Sequence, residues 1–246
     1  MNAPNAENLL QVWEARHNAH PIRRALALLE VAAPDVGIEA WSAMPIGQRD
    51  ARLLDLYETL FGSRLESVTH CPRCAETLET SFATGDIRLP LDETKLSKTF
   101  KFRKQGCSIE YRLPSSEDLL QVIATNDDPE DAQLQLLRRC VIEAKRAGKR
   151  QSPEQLPADV VDRLADEMAR NDPAADVQIQ LNCPVCGHVW NVAFDIVWHF
   201  WSALEDWAQR TLADVHLLAR AYGWNEHVIL GLSPTRRQHY IEMVRA

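Results

Sequence analysis

Apolar residues recur at helical spacing through the first sixty positions. Leu9, Leu10, Val12 and Trp13 predict a helix over residues 7–18. Pro21 suits the first turn of a second helix, carried on by Ile22, Leu26, Leu28, Leu29 and Val31. Pro34 and Gly37 mark a break. A third helix is predicted over residues 46–61, with Leu53, Leu54, Leu56, Tyr57 and Leu60 on its apolar side and Gly62 as its stop. This opening part shows no catalytic pattern and reads as a helical docking or packing layer. The period then shortens to two: residues 65–70 and 77–83 alternate as a pair of strands.

Residues 99–103 and 109–113 alternate around Gln105-Gly106, predicting a hairpin that Pro114 ends. Ser115 has the character of a helix N-cap with Asp118 as its capping-box partner, followed by Leu119, Leu120, Val122 and Ile123. A helix is expected over residues 129–145, with Leu134, Leu136, Leu137 and Val141 inward, then a solvated basic loop over residues 145–150. Another helix over residues 157–170 stops at Asn171-Asp172-Pro173, because a residue before proline avoids helical backbone. Residues 177–181 and 188–194 alternate as two more strands. A long helix over residues 196–221 ends at Gly223. Asn225 caps a short helix reaching Leu230, and Ser233-Pro234 opens a final helix with Tyr240, Ile241 and Val244.

Two cysteine turns interrupt the strand pairs: Cys71-Pro72-Arg73-Cys74 and Cys183-Pro184-Val185-Cys186-Gly187. Each sets two thiols two residues apart between strand-like runs, which is the form of a zinc knuckle. One knuckle offers two ligands, whereas a structural zinc site takes four in a tetrahedron. The expectation is one Zn2+ shared by Cys71, Cys74, Cys183 and Cys186, closing a split ribbon around everything between. Closing a flexible loop of that length costs roughly 4 kcal/mol. A thiolate zinc site contributes about 10–16 kcal/mol, so metal binding outweighs the closure. Two readings compete. Each pair is a redox dithiol, or each holds its own ion with further ligands from His70, His188 or Cys107. Cys107 and Cys140 read as small buried apolar residues.

The fold class that follows is α+β: mainly helical, with a split four-cysteine ribbon of two β-hairpin knuckles and a large mixed insertion between them. The expected division is a helical segment 1–62, the ribbon 63–84 and 175–195, an insertion 85–174 and C-terminal helices 196–246.

Composition narrows the function. The chain has 246 residues, 46% hydrophobic and 25% charged, enough to bury a sizeable core. No apolar run approaches a membrane-spanning length, and the N-terminus lacks the basic-then-apolar pattern of a signal peptide. A cytoplasmic location is expected, where thiols stay reduced. A net charge of −8 weighs against phosphate-backbone binding. No serine–histidine–aspartate set or glycine-rich phosphate loop is present. His216 reads as a core or interface histidine, and the stripe of Trp198, Trp201 and Trp207 as core ahead of a partner anchor. Four thiolates leave a metal no open position for water or substrate, so no catalytic residue and no small-molecule substrate are assigned.

The order of motifs resembles the T-even-like phage baseplate hub assembly family, the zinc-ribbon baseplate proteins of contractile phage tails and contractile injection systems. The shared features are the first CPxC, Tyr111-Arg112-Leu113-Pro114 with Asp118-Leu119-Leu120, Asn171-Asp172-Pro173, and Cys183-Pro184-Val185-Cys186-Gly187. Phe194-Asp195, Trp201 and Glu205 follow, then His216-Leu217-Leu218-Ala219, Ala221-Tyr222-Gly223-Trp224-Asn225-Glu226 and Arg236-Arg237-Gln238-His239-Tyr240. The resemblance covers residues 50–246 and leaves the N-terminal helices outside. It implies a non-enzymatic structural or chaperone-like assembly protein, bound to baseplate hub, spike or tail-tube proteins, with Arg236 and Arg237 as candidate rim charges. The alternative is a nucleic-acid-associated zinc-ribbon regulator.

Overall fold

A computed structural model describes residues 3–89, 99–125 and 128–245. Met1, Asn2 and part of the expected 85–174 insertion lie outside the described residues. The first helices are α1 (Ala6–Arg16), α2 (Pro21–Ala32), α3 (Ile38–Ala43) and α4 (Ile46–Phe61). Asn5 caps α1 by accepting from the Asn8 amide at 2.8 Å. Gly62 ends α4 at φ 88°, a conformation that costs a side chain but not glycine. The short α3, which follows the break marked by Pro34 and Gly37 and was not foreseen, carries the buried Trp41 into the core.

Strands β1 (Arg64–His70) and β2 (Thr77–Ala83) form the first hairpin, followed by the single turn α5 (Thr84–Ile87). Then come β3 (Phe100–Lys104), β4 (Cys107–Tyr111), α6 (Ser116–Thr125), α7 (Pro129–Cys140), β5 (Val141–Arg146), β6 (Lys149–Arg150) and α8 (Ala158–Asn171). Strands β3 to β6 lie in that order in one antiparallel sheet. The chain returns through β7 (Gln178–Asn182) and β8 (Val189–Ala193), the second two-stranded hairpin, into α9 (Ile196–Tyr222), α10 (Glu226–Leu230) and α11 (Pro234–Arg245).

One expectation is overturned here. The helix predicted to reach residue 145 stops at Cys140, and residues 141–146 pair with β4 instead. The run Val-Ile-Glu-Ala-Lys-Arg suits a helix locally, but β4 offers an unpaired edge whose hydrogen bonds it satisfies. The basic tract is accordingly a hairpin: Lys145 and Arg146 lie in β5, and Lys149 and Arg150 in β6, all exposed, around Ala147-Gly148 at φ 48° and 79°.

The apolar residues gather in separate clusters. The first joins α1 to α4 and Leu65 to Ile196, Val197, Phe200, Trp201 and Leu204 of α9. A second fills the insertion between β3–β5, α7 and α8, around Ile109, Tyr111, Val160 and Leu164. The third packs Leu10 of α1 against the far half of α9, α10 and α11. Helix α9 thus belongs to two clusters, and α1 contributes to both of them.

Candidate metal centre

Both cysteine turns are built alike. In the first, the Cys71 amide donates to Glu76 O and the Ala75 amide to Cys71 O, each at 2.9 Å. In the second, the Cys183 amide donates to His188 O and the Gly187 amide to Cys183 O, again at 2.9 Å. Ala75 and Gly187 occupy the same place in the turn, and both are left-handed, at φ 60° and 67°. This turn aims amides at sulfur: those of Arg73 and Cys74 donate to Cys71, and that of Glu76 to Cys74.

The two hairpins bring their tips together. Cys71 Sγ lies 3.7 Å from Cys186 Sγ, and Cys74 Sγ 3.6 Å from Cys183 Sγ. All four sulfurs lie within 4.8 Å of one another, and none is in a disulfide. Cys71 and Cys183 are buried beside Leu78, with Cys186 and Trp190 packed against them. A tetrahedral ion with metal–sulfur distances of about 2.3 Å sets its sulfurs about 3.8 Å apart, so the donor set fits a metal ion.

The electrostatics point the same way. Burial opposes ionisation of Cys71, but the amides of Cys74 and Arg73 and the neighbouring thiols draw it down to about 7. The Glu76 amide favours the Cys74 thiolate, yet burial and the three other sulfurs push it up to about 12. Four sulfurs this close do not all ionise without a cation among them.

The remaining sequence candidates fall elsewhere. Cys107 and Cys140 are buried in the insertion's apolar cluster, and burial pushes Cys140 up to about 12. His70 hydrogen-bonds Thr77 at 3.2 Å, and His188 stacks on Trp190. Among the described residues only the four cysteines gather as a metal-ligating set, which disfavours two separate ions. His216 is exposed on α9, not in a core, because the buried stripe runs through Thr211, Val215 and Leu218. The tryptophan stripe divides: Trp201 is buried, Trp207 half-buried, and Trp198 is 57% exposed. Arg237 is buried near Asp214, at 3.7 Å, so it is no rim residue, whereas Arg236 is exposed.

A polar knot that the sequence did not reveal joins the start of α4 to the start of α6. Arg49 contacts Asp50 at 2.7 Å and the Ser116 hydroxyl at 3.0 Å. Asp118 takes Arg112 in a bidentate pair at 2.5 and 2.7 Å, and also accepts from the Ser115 amide. Ser115 and Asp118 were legible as a cap, but only the fold brings Arg49 to the neighbouring Ser116.

A family model described as T4 bacteriophage base plate protein matches residues 8–201. The chain belongs to this family. The match takes in α1 to α3 and the first turn of α4, which the motif resemblance had left outside, and ends within α9 before the C-terminal motifs quoted for it. No curated protein and no solved structure matches the chain. Membership in the baseplate family supports a structural or assembly role in a phage baseplate, among other baseplate and tail proteins. Among the described residues no helix is long and apolar enough to cross a membrane.

Proposed function

We propose that the chain is a non-enzymatic structural or assembly component of a contractile phage-tail baseplate, pinned by one structural zinc. Cys71, Cys74, Cys183 and Cys186 hold the ion, and its partners are hub, spike or tail-tube proteins. The observation that carries this reading is the meeting of four sulfurs at the tips of two hairpins, in cysteine pairs 109 and 115 positions apart, in a chain of the baseplate family.

Tetrahedral thiolate sets suit zinc or iron. Two knuckles closing a full set with no open position make the structural zinc arrangement. Bound there, zinc supplies cross-linking and charge neutralisation, not Lewis-acid chemistry on a substrate. The protein's own contribution is orientation. Amides of Arg73, Cys74 and Glu76 stabilise thiolates, and the hairpins run directly into α5 and α9. Fixing the two tips therefore fixes the start of α9, and through it two apolar clusters. The protein folds and binds metal in the cytoplasm before joining the particle.

The test is fractionation of tails made with and without the gene. The expected result is co-sedimentation with hub, spike or tail-tube proteins, and loss of complete baseplates on deletion. A protein found alone, with assembly unaffected by its absence, contradicts the reading.

A further inference from the structure

Where the second hairpin runs into α9, beside Phe82 of the first, an aromatic cluster reaches the surface. Phe82 meets Phe194 edge-on at 5.9 Å, and Phe194 stacks on His199 at 5.0 Å. Trp198 stands edge-on to His199 at 4.9 Å, yet keeps more than half of its surface exposed. Large aromatics left in the open and braced from behind are characteristic anchors of protein interfaces.

Trp198 separates two clefts. One, of about 270 Å³, lies between the hairpins and is walled by Ile179, Leu181 and Val192 on one side, with Val68, Thr80 and Phe82 on the other. The second, of about 300 Å³, runs along the first turns of α9 and carries Asp195, Glu205 and Asp206. Its cation is Arg24, whose guanidinium lies 4.5 Å over the Trp201 ring and donates to the Arg16 and His17 carbonyls. Burial holds His199 below its usual range, so at neutral pH it adds no positive charge. His17 faces Glu205 at 3.7 Å. Among the described residues lining this cleft, the carboxylates of Asp195, Glu205 and Asp206 outnumber the one guanidinium beside the exposed indole.

We propose that the paired clefts flanking Trp198 dock a polypeptide segment of another tail protein, bearing lysine or arginine next to apolar side chains. The apolar residues enter the cleft between the hairpins. The cation lies against Trp198 and the carboxylates of Asp206 and Glu205, as Arg24 already lies on the adjacent Trp201 ring. An acidic or uncharged segment satisfies only the apolar half of this surface. The proposal rests on the baseplate reading above and adds the site and chemistry of one contact.

The test places a photo-crosslinking benzoylphenylalanine at the exposed Ser202 of the full chain, produced with the tail proteins encoded alongside it. Crosslinked peptides are identified by mass spectrometry. The expected result is a peptide of a different tail protein, with lysine or arginine beside apolar residues. Its yield falls roughly tenfold or more in Asp206→Lys and in Trp198→Ala. A lysine- or arginine-to-glutamate change in that peptide restores the yield against Asp206→Lys. A chain present in sedimented baseplates with no crosslink from position 202 overturns the docking site. So does a crosslink to a peptide lacking basic residues or to another copy of this chain, or a yield unmoved by Asp206→Lys. Absence of the unsubstituted chain from baseplates overturns the baseplate reading, and the docking site with it.

Discussion

The Asp172 carboxylate accepts a 3.0 Å hydrogen bond from the Gly47 amide, joining the end of α8 to the start of α4 across 125 positions. It serves as a helix cap supplied from a distant part of the chain. The fit leaves no room for a side chain. A Cβ on Gly47 would lie 2.0 Å from Asp172 Oδ1 and 2.7 Å from the Ala175 backbone nitrogen. Gly47→Ala should therefore cost about 2 kcal/mol or more, as overpacking does. Asp172→Ala, which only removes the cap, should cost about 1 kcal/mol. Urea unfolding of both variants checks the order.

Asp118 anchors the other half of the polar knot. Burial alone would raise its pKa, but Arg112 and Ser115 bind the carboxylate and hold it below the usual 3.8. A depressed carboxyl stabilises the fold above its unfolded value, and that gain disappears as pH falls through the lower folded value. Asp118→Asn should destabilise by about 2–4 kcal/mol at neutral pH, because Arg112 loses its paired carboxylate. The difference from the parent protein should shrink below pH 4 in denaturant titrations.

Asp50 behaves in the opposite sense. Burial, opposed by Arg49 and reinforced by Asp195 and Asp172, raises it from 3.8 to about 6. Its folded form holds a proton that the unfolded chain has lost, so this group's contribution is full below pH 3.8 and declines as pH rises through 6. The stability of Asp50→Asn relative to the parent should improve by about 2 kcal/mol between pH 4 and pH 7. A difference that stays flat over that interval contradicts the assignment.

The two cysteine turns differ at one matched position. Ala75 holds a left-handed backbone that Gly187 adopts freely. Left-handed geometry costs a residue with a Cβ about 1–2 kcal/mol, while glycine adds unfolded-state freedom worth about half to one. Ala75→Gly should leave stability equal or raise it by up to about 1 kcal/mol. Gly187→Val should lower it by more. Thermal unfolding at fixed metal concentration separates them.

Local chemistry made much of the fold legible. Gly62 and Gly223 stop helices, and Asn225 and the Ser115–Asp118 pair cap them, because those signals act within a few residues. The cysteine set was legible because two CxxC turns offer half a coordination sphere each. Strand β5 was not: Val141 to Arg146 reads as helix until β4 pairs with it, and the Cys140 carbonyl then accepts from Arg112. Nor was the exposure of Trp198, since spacing on a helix does not say which tryptophan meets a neighbour. The Arg49–Ser116 and Gly47–Asp172 contacts join residues far apart in sequence, and Asn171-Asp172-Pro173 looked only like a helix stop.

The central claim is that one zinc ion, shared by both hairpins, holds the chain in this form. Metal analysis of the purified full-length protein, alongside Cys71→Ser and Cys183→Ser, tests it most directly. One zinc per chain, lost in either variant, and a cobalt-substituted spectrum of four thiolate ligands are the predicted results. Two ions per chain, a metal content indifferent to loss of either cysteine, or a disulfide between the hairpin tips would contradict it.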